Sequence, residues 1–312
     1  MARCFVTRRL PGGALERLAA SHEADLWPAS RPPTRDELLV HTREADGLLS
    51  QLTESVDAAL FDACPRLRAV SNFAVGVDNV DLAAATARGI PVGHTPGVLT
   101  EATADLTFAL MLAAARRLSD AERAERLGGW SWEPDFLLGH DVYGATLGLI
   151  GLGRIGAAVA RRAEGFSMEV IHTSRSGGVP LEELLERSDF VSIHAPLTPD
   201  TRGLIGEDAL RRMKRSAILV NTARGPIVDT NALVRALNQG WIAGAALDVT
   251  DPEPLPTEHP LLLCPNLTIL PHIGSATYST RAAMADIAVD NLLAALAGER
   301  MPHCANPEVY ER

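Results

Sequence analysis

Along the first third of the chain, short apolar runs alternate with stretches whose apolar residues recur at helical spacing. Residues 3–7, Gly47–Ser50, 68–72 and 91–93 read as strands, and residues 13–20, 56–63 and 82–88 as helices. Strands alternating with helices imply βαβ units and a parallel sheet. A helical pattern then runs from Glu101 to about Leu127 with Thr100 as its N-cap, followed by a loop rich in Gly, Trp and Pro at 128–144. A denser alternation follows, with strands at Thr146–Ile150, 168–173, 190–194, 217–221, 243–248 and 268–270 and a helix at Leu181–Arg187. Unbroken apolar strands such as Leu147-Gly-Leu-Ile suit a sheet covered on both faces. An amphipathic helix at 280–296 and a tail read as strand or loop complete the pattern. The expected class is α/β, with two Rossmann-like parallel-sheet domains, one of them flavodoxin-like.

Composition narrows the chemistry only by exclusion. At 312 residues the chain has room for about two domains. Its 46% hydrophobic and 22% charged residues exclude extended disorder. Apolar stretches such as 106–115 are too short to cross a bilayer, so no membrane association is expected. The arginine-bearing first ten residues lack an apolar core with a small-residue cleavage site, so no signal peptide is read. A formal net charge of −10 argues against non-specific nucleic-acid binding. Cys4, Cys64, Cys264 and Cys304 are far apart without metal-ligand spacing, as expected of reduced thiols in the cytoplasm and of a protein with no metal site.

Chemistry enters at Gly151-Leu152-Gly153-Arg154-Ile155-Gly156, which follows a strand and opens a helix. Three glycines at this spacing permit a tight turn, close approach of backbone to a pyrophosphate, and close packing of helix on strand. The helix start then presents free amides and the positive end of its dipole to phosphate. A dinucleotide site is expected. NAD sites place Asp or Glu at the end of the second strand, where it accepts from the ribose 2′-hydroxyl. Here that strand ends His172-Thr-Ser-Arg-Ser176, with Ser174 at the acid's position and Arg175 next to it. A carboxylate repels a 2′-phosphate, whereas serine and a guanidinium hold one by charge-assisted bonds. NADP(H) is therefore favoured and NAD(H) is the alternative, in which Arg175 is simply a solvated surface residue.

Three polar residues follow, each just beyond a strand. Arg224 lies in Asn221-Thr-Ala-Arg-Gly225, Glu253 in Asp251-Pro-Glu-Pro254, and His272 in Pro271-His-Ile-Gly-Ser275. Ligands gather at the carboxyl ends of the strands in an open parallel sheet, so all three can share one crevice. Together they read as hydride-transfer chemistry.

The sequence resembles the D-isomer-specific 2-hydroxyacid dehydrogenases over nearly its whole length. The resemblance is carried by residues 75–79, 99–105, 151–156, 194–198, 221–229, 246–254 and 271–277. It is most similar to the glyoxylate/hydroxypyruvate reductase branch, through Gly129-Trp-Ser-Trp-Glu-Pro134 and the Ser-Arg pair. The resemblance implies that Arg224 grips the 2-oxoacid carboxylate, that His272 is the acid/base, and that Glu253 holds the imidazole and favours its charged form. It implies that Asp248 binds the nicotinamide carboxamide and that the Val75 and Gly76 amides cradle the substrate carboxylate. The resemblance further implies that Thr103, His194, Pro196 and Thr222 line the cofactor, although Thr103 also reads as a buried helix threonine bonded to its own turn. Leu52 reads either as an apolar wall of the substrate pocket or as ordinary packing. Trp132 reads either as a dimer-arm residue reaching the partner's active site or as packing at an interface or beneath its loop.

Two positions depart from the family pattern: Ser167 stands where a glycine is usual, and Ala74 precedes the Val-Gly cradle. The lack of a basic residue there favours a small, unphosphorylated substrate. The expected product is a homodimeric, NADPH-preferring reductase of glyoxylate and hydroxypyruvate, giving glycolate and D-glycerate. A 2-ketogluconate or other 2-oxoacid reductase is the alternative, and a dinucleotide-sensing corepressor-like protein is the non-catalytic one. A discontinuous substrate domain (1–96 and 281–312) would then hold an inserted cofactor domain (97–280).

Overall fold

The computed structural model describes residues 1–311 and divides into two compact units, Met1–Leu99 with the segment from Ser275 onward, and Thr100–Gly274. The first unit runs β1 (Arg3–Val6), α1 (Ala14–Ser21), β2 (Glu23–Leu26), α2 (Arg35–Arg43), β3 (Gly47–Ser50), α3 (Ala58–Ala63), β4 (Ala69–Asn72), α4 (Leu82–Ala87) and β5 (Val92–Gly93). Its five strands are parallel in the order β2-β1-β3-β4-β5, the flavodoxin-like arrangement. β3 and β4 are buried along their whole length, as strands covered on both faces must be.

The second unit begins with α5 (Thr100–Ala115) and α6 (Leu118–Leu127). It continues through β6 (Thr146–Ile150), α7 (Arg154–Glu164), β7 (Glu169–Ser174), β8 (Gly177–Gly178), α8 (Leu181–Arg187) and β9 (Phe190–Ile193). The remaining elements are α9 (Glu207–Arg212), β10 (Ile218–Asn221), α10 (Thr230–Gln239), β11 (Gly244–Leu247) and β12 (Leu267–Ile269). Its seven strands lie in the order β12-β11-β10-β9-β6-β7-β8, all parallel except the β7–β8 hairpin. The order reverses between β6 and β9, so the glycine motif that follows β6 sits at the switch point, where such sheets bind ligands. The last helix, α11 (Tyr278–Leu296), returns to the first unit, capped by the Thr277 hydroxyl on the Thr280 amide.

The structure corrects the sequence reading in three places. The single helix expected over 101–127 is two. Arg117 takes the left-handed conformation (φ 52°), and the Ala115 carbonyl accepts from the His140 amide instead of continuing the helix. α6 buries none of its residues, so nothing holds it in line with the apolar α5. Thr100 is the first residue of α5 rather than its N-cap. Residues 56–57 stay outside α3 because the Asp57 carboxylate caps it at the Leu60 amide.

Candidate active site

The three glycines of the motif do three different things. Gly151 has φ +98°, and a Cβ on it would come 2.8 Å from the His194 carbonyl carbon and the Ala195 amide. A Cβ on Gly156 would collide with the Gly151 carbonyl oxygen. Gly153 faces open space, with nothing within 4 Å of where a Cβ would be. Gly151 and Gly156 thus close the strand-turn-helix, and Gly153 leaves room for a phosphate to reach the backbone. Gly153 is also the N-cap of α7 and supplies no side-chain acceptor, so the first-turn amides remain available to a ligand. Leu152 is exposed at 38%, and Arg154 and Ile155 start the helix beside it.

Gly151 also donates its amide to the Thr173 carbonyl at 2.9 Å, which brings the end of β7 against the motif. Ser174 ends β7 with its hydroxyl 3.0 Å from both the Ser176 hydroxyl and the Gly177 carbonyl oxygen. Arg175 is exposed, and among the described residues no carboxylate pairs with it. His194 follows β9, its Nε2 2.9 Å from the Ser192 hydroxyl, and burial pushes its imidazole down to about 4, so the ring is neutral at physiological pH. Pro196 is exposed two residues on, and its carbonyl accepts from the Thr201 hydroxyl.

Arg224, Glu253 and His272 come together at the carboxyl end of the same sheet. His272 Nδ1 lies 2.6 Å from Glu253 Oε1, and Glu253 Oε2 accepts from the Thr250 amide at 3.2 Å. Burial raises the Glu253 carboxyl. The hydrogen bond and charge of His272, the Thr250 amide and the Arg224 charge outweigh it and hold the group below the usual carboxylate range. The Arg224 loop is fixed from beneath, with Asn221 Nδ2 donating to the Arg224 carbonyl and Asn221 Oδ1 accepting from the Ala223 amide. Gly225 lets this loop press on the Glu253 loop, since a Cβ there would run into the Thr250 carbonyl. The Asp251–Pro252 and Glu253–Pro254 peptide bonds are cis.

His272 stands in the left-handed region at φ 55°. Asp248, 1% exposed, holds it there: its carbonyl accepts from the His272 amide, and its two carboxylate oxygens accept from the Ile273 and Gly274 amides at 2.7 Å each. Burial raises the Asp248 carboxyl, and the two amides and His272 oppose that only in part. Sequence reasoning gave Asp248 a ligand and missed this loop-holding contact, for which the only signal was an acid at a strand end three residues before a Pro-rich turn. Thr103 does not bond to its own turn. Its hydroxyl donates to the Gly274 carbonyl at 3.3 Å, whereas Thr107 makes the within-helix bond and also meets the Thr222 hydroxyl at 3.0 Å.

Leu52, Val75 and Gly76 belong to the first unit. Leu52 is half-buried after β3, and Val75-Gly76 lie in the loop after β4. In the 128–144 loop Trp130 stacks on Phe136 at 6.0 Å, whereas Trp132 is 77% exposed, so within one chain Trp132 does not pack beneath its loop.

The model of the D-isomer specific 2-hydroxyacid dehydrogenase NAD-binding domain matches residues 108–274, more than half of the chain. The chain belongs to the D-isomer-specific 2-hydroxyacid dehydrogenases. It is therefore an oxidoreductase with a Rossmann-like NAD-binding domain. This dehydrogenase is 50% identical to the glyoxylate reductase of Korarchaeum cryptofilum, covering 99% of this chain and 97% of that one. It is 48% identical to that of Thermococcus kodakarensis over the same shares. A solved protein from Thermus thermophilus superposes with TM-score 0.92 at 51% identity, covering 97% of this chain and 99% of that one. The NADPH-dependent glyoxylate/hydroxypyruvate reductase of Sinorhizobium meliloti, solved with NADP and malonate, superposes with TM-score 0.85 at 37% identity over 98% and 97% of the two chains. Among the described residues no helix is long and apolar enough to cross a membrane.

Proposed function

We propose that this dehydrogenase reduces small 2-oxoacids, glyoxylate and hydroxypyruvate first, to glycolate and D-glycerate, with NADPH preferred over NADH. The observation that carries the reading is the 2.6 Å His272–Glu253 pair, joined by Arg224, at the carboxyl end of the sheet that also bears the glycine motif. The names of the relatives from K. cryptofilum, T. kodakarensis and S. meliloti support the substrate class.

The unit Thr100–Gly274 is the cofactor domain in this reading, and the first unit with α11 is the substrate domain. Gly151–Gly156, Ser174, Arg175, His194, Pro196, Thr222 and Thr103 hold the dinucleotide, and the nicotinamide, when bound, supplies the hydride. Asp248 already accepts two amides, yet a carboxylate has about four acceptor positions and retains capacity for a carboxamide N–H. Arg224 pairs with the substrate carboxylate in a planar, two-point contact. Protonated His272 gives its Nε2 proton to the carbonyl oxygen as the carbonyl carbon is reduced, because Nδ1 is engaged with Glu253. Leu52 bounds the substrate on its apolar side. Arg175, exposed and without a carboxylate partner, is free to meet a 2′-phosphate, and this favours NADP(H).

The exposed Leu127, Trp132, Leu138 and Tyr143 are an apolar arm suited to a second copy of the chain, and a homodimer follows. Four unpaired cysteines suit a reducing cytoplasm. Initial rates of NADPH and NADH oxidation with glyoxylate, hydroxypyruvate, pyruvate and 2-ketogluconate test the reading. Glyoxylate and hydroxypyruvate should give the highest kcat/KM, with NADPH ahead of NADH. A higher value for pyruvate or 2-ketogluconate would replace the substrate assignment, an NADH preference would remove the cofactor assignment, and no turnover of any acid would favour a dinucleotide-sensing role.

A further inference from the structure

Three consecutive peptide planes after β4 are each anchored at their carbonyl. The Ala74 carbonyl accepts from the Thr95 amide at 2.8 Å, the Val75 carbonyl from His94 Nδ1 at 3.0 Å, and the Gly76 carbonyl from Asn72 Nδ2 at 3.2 Å. A trans peptide points its C=O and the following N–H in opposite directions. Pinning these three oxygens therefore aims the Val75, Gly76 and Val77 amides away from their anchors. Among the described residues none of those three amides donates to another protein group. Successive amides turned outward in this way form a concave anion site.

The anchors are themselves held. Asn72 is fully buried, its Oδ1 accepting from the Ser50 hydroxyl at 3.0 Å and its Nδ2 also reaching Asn79 Oδ1 at 3.0 Å. Asn79 Nδ2 in turn donates to the Gln51 and Glu54 carbonyls, on either side of Leu52 and Thr53. His94 donates its amide to the His303 carbonyl, and its carbonyl accepts from Asn291 Nδ2 at 3.0 Å. Asn291 is fully buried on α11, so the imidazole sits on backbone fixed from two sides. Because a carbonyl can only accept, His94 Nδ1 carries the proton.

We propose that His94 and Asn72 are positioning residues that aim the Val75–Gly76 amides at the substrate carboxylate. This rests on the functional reading above. His94 is the one to test, since Asn72 is woven into the core and its loss endangers folding. In His94→Leu the Val75–Gly76 plane loses its anchor and the Gly76 amide its direction. Asparagine carries its side-chain nitrogen where imidazole carries Nδ1, so His94→Asn keeps the donor.

With the enzyme and saturating cofactor, His94→Leu should raise both the KM for glyoxylate and the dissociation constant of the inert analogue oxamate about tenfold, the loss of one hydrogen-bonded contact. The KM for the dinucleotide should stay within about twofold, and His94→Asn should recover most of the change. A role in folding alone would lower Tm and leave oxamate affinity unchanged in the folded fraction. An unchanged oxamate affinity in His94→Leu, no recovery in His94→Asn, or an equal rise in the dinucleotide KM would overturn the proposal. If wild-type enzyme binds oxamate but does not reduce glyoxylate, the functional reading fails while the oxamate comparison still decides the role of His94. If wild-type enzyme does not bind oxamate, both fall.

Discussion

His194 offers the clearest link between burial and pH. Its backbone closes against Gly151, and its imidazole, bonded to the Ser192 hydroxyl, is pushed from an ordinary 6.5 down to about 4 by burial. The folded protein therefore binds this proton less readily than the unfolded chain. The stabilisation is complete above about pH 6.5 and is lost progressively as pH falls toward about 4, below which both states are protonated. At about 1.4 kcal/mol per pH unit the ceiling over this window is about 3 kcal/mol. Part of the residue still meets water, which reduces the expected loss to about 2 kcal/mol. The assay is urea unfolding at several pH values between about 7 and 4.5, comparing wild type with His194→Gln. Glutamine keeps a nitrogen within reach of Ser192 and does not titrate, so carboxylates common to both proteins cancel in the difference. Wild type should lose about 2 kcal/mol more than the variant across the window. Parallel curves would refute the reasoning and place a charged, solvated imidazole beside the glycine motif.

Four further outcomes follow from the site and its surroundings. His272→Ala should lower kcat by at least about a hundredfold, and a variant keeping more than about a tenth of wild-type turnover would remove the acid/base role. Glu253 is held ionised and its Oε1 fixes the His272 ring at Nδ1, so Glu253→Gln should lower kcat for reduction at least about tenfold with little change in the KM for the dinucleotide; an unchanged kcat would argue against the pairing. Arg175→Ala should raise the KM for NADPH about tenfold and leave that for NADH nearly unchanged, which paired steady-state assays read directly. Ser167 is exposed with φ 53°, a conformation glycine adopts without strain, so Ser167→Gly should stabilise the protein by about 0.5–1 kcal/mol in thermal or urea unfolding.

What could be read from the sequence followed how strongly each element depends on a local pattern. The central strands β3, β4, β9, β10 and β11 bury every residue, and their short, charge-free, mostly apolar runs marked them to within a residue or so. The edge strand β2 is Glu-Ala-Asp-Leu, and α2 buries only Leu38 and Thr42, so neither shows an apolar pattern of its own. α10 was legible but unread: Asp229 caps it at the Ala232 amide, and Gly240 ends it at φ 64°. The convergence of Arg224, Glu253 and His272 followed from residue type and strand-end position, because the parallel sheet delivers these loops to one end, whereas the pairing of Glu253 with His272 was what the family resemblance implied. The anchoring of Val75 by His94 had no such signal. The contact joins loops 19 residues apart whose meeting depends on the β4–β5 register.

The contacts around His272 explain why its unusual backbone is tolerated. A non-glycine residue in the left-handed region costs about 1–2 kcal/mol. Against this, Asp248 receives two amide hydrogen bonds at 2.7 Å from the residues just after the histidine, and bonds to a charged acceptor contribute about 1.5–3 kcal/mol each. The strain is therefore offset locally, by the same strand end that begins the Glu253 loop. Burial works against the arrangement, because it raises the Asp248 carboxyl, and the Glu253 charge raises it further. The two amides and the His272 charge are what favour its ionised form. Asp248 and Glu253 thus act on His272 in different ways. Asp248 fixes the backbone from which the ring projects, and Glu253 fixes the ring. Substituting Asp248 should therefore disturb where the proton donor sits, and substituting Glu253 should disturb how its ring is turned.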